Sequence, residues 1–118
     1  MSRNNLNKVW IGCTVISEMT VDILKCFPKN FRYCLGDRML DYILGAVDAA
    51  SRMLDLLDLN QPYENYRLDC IHNLRMLQVI MKICLARDIL TPKQLTNLTK
   101  EIVPVWEILN DCVQSESL

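Results

Sequence analysis

Apolar residues recur every three or four positions through most of the chain, the spacing that lines one face of an α-helix. Leu6, Val9, Cys13, Ile16, Thr20, Ile23 and Phe27 form the first set and predict a helix over 5–26, its narrow face spaced as in an interhelical seam. Pro28 lacks an amide proton and pushes Phe27 out of the α region, so that helix must stop, and Asn30 is placed to cap the next. Leu35, Met39, Tyr42, Ile43, Ala46, Ala50, Met53 and Leu57 predict a second and longest helix over 31–57. Its interior Gly45 costs about 1 kcal/mol against alanine, which implies close approach by a neighbouring helix. After the break Leu59-Asn60-Gln61-Pro62, with Asn60 as a cap and Pro62 suited to a first turn, Tyr66, Cys70, Leu74, Leu77, Met81 and Cys84 predict a third helix over 63–86. Thr91-Pro92-Lys93-Gln94 reads as a capping box opening a fourth over 92–113, with Leu95, Leu98, Ile102, Val105, Leu109 and Cys112 on its buried face. Pro104 should kink that helix near Glu101, and the last five residues should fray. Short turns make antiparallel neighbours, so the expectation is an all-α, up-down-up-down four-helix bundle in a single domain, 1–118.

Composition agrees. In 118 residues, three glycines and four prolines beside 51% hydrophobic residues leave little room for a sheet and ample material for one core. The uncharged run Val9–Ser17 is far short of the roughly 20 residues that span a bilayer, so no membrane segment and a cytoplasmic chain are expected. Six cysteines show no Cys-x-x-Cys spacing and mostly take apolar helical positions, as buried free thiols would. A di-iron bundle needs two inward Glu-x-x-His motifs; Asp69-Cys70-Ile71-His72 is the only approximation, and His72 has no second histidine. Gly12, Gly36 and Gly45 are isolated, so no phosphate loop is formed. These features predict neither enzyme nor cofactor. Trp10 and Trp106 both fall toward one end, as core packing or, alternatively, a partner surface.

Charge changes the picture only once the chain is threaded. The net charge is −1, yet the end that collects residues 16–44 and 75–102 holds nine bases and six acids, while the other holds four bases and eight acids. Lys25, Lys29, Arg32, Arg38, Arg75, Lys82, Arg87 and Lys93 are the candidate binding residues of the base-rich end, fit to attract phosphates or an acidic protein surface. Asp41, Asp48 and Asp55 on the second helix and Arg67, Arg75 and Lys82 on the third fall along stripes that could pair within one copy, between copies, or simply be solvated. Phe31 and Tyr33 are the only aromatic residues placed to stack bases there.

The segment Phe27-Pro28-Lys29-Asn30-Phe31-Arg32-Tyr33-Cys34-Leu35-Gly36-Asp37-Arg38 resembles the first-turn signature of Avd-like proteins, the accessory variability determinants of diversity-generating retroelements. The resemblance continues through Leu74-Arg75-Met76-Leu77 and through 86–94, covering about residues 20–112. It implies a bundle that assembles as a homopentameric ring or barrel, has no enzymatic activity, and binds reverse transcriptase and nucleic acid, template RNA or cDNA, in support of mutagenic retrohoming. Lys29, Arg32, Arg38, Arg75 and Arg87 match basic places of the family. The four-helix proteins of 23S ribosomal RNA intervening sequences are a second, weaker resemblance. A purely protein-binding, self-assembling bundle and a metal-dependent bundle enzyme are the readings from other classes.

Overall fold

The computed structural model describes the backbone of residues 2–117 and the side chains as far as Asp111. Helix α1, Arg3–Leu24, starts earlier than the periodicity predicts because the Ser2 hydroxyl accepts the Asn5 amide at 3.1 Å and caps the first turn. It ends before Pro28, as expected. Helix α2 runs over 29–58, beginning two residues before the predicted start: Pro28 is its N-cap residue, so Asn30 lies inside the helix and does not cap it. Helix α3 is Glu64–Ala86 and α4 is Pro92–Ser117, the latter helical on both sides of Pro104 without a break. No strand is present among the described residues.

Within α2 the segment Arg32–Gly36 is a π-turn, closed by the Asp37 amide donating to the Arg32 carbonyl. The reason lies in the spacing of the apolar residues. Steps of four overshoot a 3.6-residue turn by about 40° each, so Phe31, Leu35, Met39 and Ile43 would drift roughly 120° around a regular helix. One wider turn absorbs a residue and returns Phe31 and Leu35 to the face that buries Met39, Ile43, Ala46 and Met53. Gly36 is buried at the turn, where a Cβ would come within 2.8 Å of the Leu24 side chain.

Asn60 caps, but the helix before it rather than the one after. It adopts φ 55°, with the Gln61 amide donating to the Leu56 carbonyl at 2.8 Å and its own amide to Leu57 at 3.1 Å. That is the Schellman arrangement. Asp88 repeats it at the end of α3: φ 58°, Ile89 amide to Cys84 carbonyl at 2.9 Å, Asp88 amide to Leu85 at 3.1 Å. The capping box forms as expected, with Gln94 donating its amide to Thr91 Oγ1 at 3.1 Å and Thr91 donating to Gln94 Oε1 at 2.9 Å.

The helices pack in order around one core, α1 on α2, α2 on α3, α3 on α4 and α4 back on α1, in a body of 45 × 22 × 18 Å. The long, narrow shape fits helices of 22 or more residues laid side by side, the longest over 29–58. Neighbours run antiparallel: Arg3 at the start of α1 pairs with Asp58 at the end of α2, Cys70 donates to the Ala46 carbonyl, and Arg67 reaches the Leu109 carbonyl. Of the predicted core positions, Ile23, Leu35, Tyr42, Leu57, Tyr66 and Leu95 are half-buried against the core and the other described ones are buried, Thr20 included, whose hydroxyl donates to the Ile16 carbonyl at 2.8 Å. Gly45 meets the expected neighbour, the Asn73 side chain of α3, whose Oδ1 would lie 2.7 Å from an added Cβ. The Cys112 side chain and the expected fraying of the last residues lie outside the described side chains.

Candidate nucleic-acid interface

Two corners make the base-rich end: the turn between α1 and α2, and the turn between α3 and α4. Their proximity is visible in the thiols, since Cys84 near the end of α3 is pushed up by its burial and by Cys34 of the π-turn nearby. Cys34 and Cys26 are exposed, unlike the buried Cys13, Cys70 and Cys84; all five are free. The expectation of buried thiols therefore fails at this corner, where the residues turn outward. In the middle of the core Cys13 contacts Cys70, and that hydrogen bond together with burial holds the Cys70 thiol far above its ordinary range.

Arg32 is partly committed to structure: its Nη2 donates to the Lys25 carbonyl at 3.3 Å and to that of Phe27 at 3.5 Å, strapping the corner that Pro28 opens. Lys25 makes a 3.4 Å pair with Asp22. That pair is the only one at this end among the described residues. Lys29, Arg38, Lys82, Arg87, Lys93 and Lys100 are exposed and enter no ion pair among the described residues. Tyr33 is 66% exposed on the π-turn, whereas Phe31 packs against the core. Tyr33 alone is thus free to stack.

The acid-rich end is organised differently. Arg3 pairs with Asp58, Arg52 with Asp48 at 3.0 Å while lying 5.5 Å from the centre of the Tyr66 ring, and Arg67 with Glu64. Arg67 is only 2% exposed and is no member of a solvated stripe: its Nε donates to Glu64 at 2.7 Å and its Nη1 to the Leu109 carbonyl at 3.1 Å. The Arg67 hydrogen bond holds the Glu64 carboxyl below its ordinary range, with burial opposing weakly. Three of the four cations at this end, all but the exposed Lys8, are neutralised by carboxylates, whereas at the other end Lys25 alone has such a partner among the described residues.

Sequence counting put Arg75 with the base-rich end, yet it lies halfway along α3, 5.5 Å above the Trp106 ring on α4. Threading puts Trp106 at the acid-rich end, and the two residues meet because both lie near the dividing line. Lys82 lines a groove between α3 and α4 with Gln78, Met81, Leu95 and Thr99. The candidate residues therefore divide into a tip, Lys25, Lys29, Arg32, Arg38, Arg87 and Lys93, and two members on the flank. The stripes do not pair within the copy, since Asp48 takes Arg52 and Arg75 takes Trp106.

No family model, curated protein or solved structure matches the chain. Among the described residues no three His, Cys, Asp or Glu side chains gather as a metal-binding group, and no helix is long and apolar enough to cross a membrane. His72 is exposed on α3.

Proposed function

We propose that this chain is a non-catalytic adaptor that self-associates and holds nucleic acid against a partner protein, as an accessory protein of a retroelement reverse transcriptase does. The supporting observation is the contrast in pairing: of the tip cations only Lys25 has a carboxylate partner among the described residues, while Arg3, Arg52 and Arg67 at the far end are neutralised. A tip of this kind attracts phosphates over a Debye length and leaves the acid-rich end to repel them, which orients the bound strand. Tyr33 adds a ring face beside Lys29 and Arg32 on which an unpaired base can stack. The first-turn resemblance supplies the retroelement context, with a ring of five copies as its implied assembly.

The test is fluorescence anisotropy with a structured RNA across a salt series. Affinity at low salt that falls steeply with salt, and that is lost on converting Lys29, Arg32 and Arg38 to glutamate, supports the reading. Equal affinity in the triple variant overturns it. A protein-only scaffold is the second reading, favoured by the net charge of −1.

A further inference from the structure

Helix α3 departs from the usual pattern of a bundle helix. Between Asp69 and Asp88 the chain carries no acid, while Arg75, Lys82 and Arg87 supply positive charge. The face of α3 turned away from the core shows Val79 and Ile83 at 43% and 42% exposure, four residues apart and so stacked in one ridge, with Lys82 beside them. Leu74, Leu77, Ile80, Met81 and Cys84 face the core instead. A helix apolar on both sides is suited to burial on both.

The complementary surface lies between α1 and α2. There a furrow of about 360 Å³ has Val21, Leu40 and Leu44 in it and Glu18 and Asp22 along its wall. Val21 and Leu44 are 44% and 48% exposed, and Asp41 and Asp48 stand one turn to either side of Leu44 on α2. Of the cations near this furrow, Lys25 is tied to Asp22, Arg52 to Asp48, and Arg32, which lines the adjoining hollow with Val21 and Leu40, to the Lys25 and Phe27 carbonyls. Glu18 and Asp41 have no such partner.

We infer that the basic, apolar ridge of α3 in one copy seats in the acidic, apolar furrow between α1 and α2 of the next, so that copies join head to tail. The two surfaces match in both respects that decide an interface: exposed branched side chains meet an apolar floor, and the acid-free stretch 70–87 meets an acidic rim. The ridge faces away from its own core and cannot fill its own furrow. Because α3 lies diagonally across the bundle from α1, ridge and furrow face different sides and cannot both meet one partner, so the arrangement continues to a third copy and closes as a ring or runs on as a fibre, and does not stop at a two-fold dimer. This extends the adaptor reading and rests on it only for self-association, and it assigns Lys82 to the joint between copies rather than to nucleic acid.

The experiment measures mass by light scattering with no nucleic acid present. One variant blocks the ridge, Val79→Ser with Ile83→Glu; the other blocks the furrow, Glu18→Lys with Leu44→Lys. All four positions are exposed, and circular dichroism checks that helicity is kept. The wild-type chain is expected to exceed two copies, each variant alone to run at 13.7 kDa, and their equimolar mixture to give a species of two copies, because only one ridge and one furrow remain intact. A wild-type chain that stays single or stops at two copies, a variant that assembles like wild type, or a mixture that stays single each overturns the inference; a single chain leaves these faces to a different partner. A chain that stays single yet binds RNA fails here alone, since the RNA titration is read separately.

Discussion

Arg67, buried at the start of α3, donates from Nη1 to the carbonyl of Leu109 near the end of α4, 3.1 Å away and 42 residues along the chain. The same guanidinium is anchored through Nε to Glu64. One side chain thus fastens the α3–α4 seam at the acid-rich end. Arg67→Met keeps the apolar stem and removes the fork, and should cost about 2 kcal/mol in urea unfolding. Lysine should not rescue it, because a single ammonium cannot serve both partners in the same plane.

Acid should act at the same place. The Glu64 carboxyl is held below its ordinary range in the folded chain, so its contribution is fully present above the unfolded value, about pH 4.3, and is lost as pH falls through the folded value. Stability followed between pH 5 and 2 should fall less steeply in Glu64→Gln than in wild type. An identical acid limb in the two proteins would remove Glu64 from the account.

Gly45 and Asn73 should behave as a coupled pair. Gly45→Ala gains helix propensity but drives its Cβ into an amide that donates to the Asp69 carbonyl at 2.8 Å, so alone it should be neutral or destabilising. In an Asn73→Ala background the same change should stabilise by about 1 kcal/mol. A double-mutant cycle of denaturation midpoints reads the coupling directly.

The two left-handed positions give the opposite use of glycine. Asn60→Gly and Asp88→Gly should each stabilise, by about 0.5 kcal/mol, because the native φ carries a Cβ penalty that outweighs the added freedom of the unfolded chain. Valine at either site should cost more than about 1 kcal/mol. Thermal melts of the four variants decide it.

For nucleic acid, the tip and the flank should separate. Replacing Lys29 and Arg38 by alanine should lower the slope of log affinity against log salt by roughly 0.7 per cation on single strands, and Tyr33→Ala should weaken binding of unpaired bases by about 1 kcal/mol or more. Arg75→Ala should leave the slope unchanged and instead lower stability through the lost contact with Trp106. An equal slope change for Arg75 and Lys29 would contradict the division.

Local signals carried the fold a long way. The three-and-four spacing located the core of all four helices because burial of one face is what creates that spacing, and Thr91 with Gln94 marked a helix start because the motif is complete within four residues. Gly45 announced its close neighbour without naming Asn73. The misses are of another kind. Asn30 and Asn60 have cap chemistry, yet which helix end a cap serves depends on the backbone around it, and Asn60 took the left-handed place behind α2. The burial of Arg67 depends on Leu109, and the stacking of Arg75 depends on Trp106, partners beyond the reach of local periodicity. For the candidate site, the charge count found the tip cations through topology alone, but could not tell cations with neutralising neighbours from those without.

The π-turn at Arg32–Gly36 was written in the sequence as Phe31, Leu35, Met39 and Ile43, four apolar residues at uniform steps of four. Its consequence is that this corner is sensitive to length more than to composition. Inserting one further residue there would lengthen the chain hardly at all but, with the wide turn already taking up one, would swivel everything ahead of it by about 100°, exposing Phe31 and turning Lys29 and Tyr33 toward a different quarter of the molecule. Excising the surplus residue would instead restore a regular α turn and leave them facing as they do. The wide turn acts as an index pin that fixes which way the tip looks.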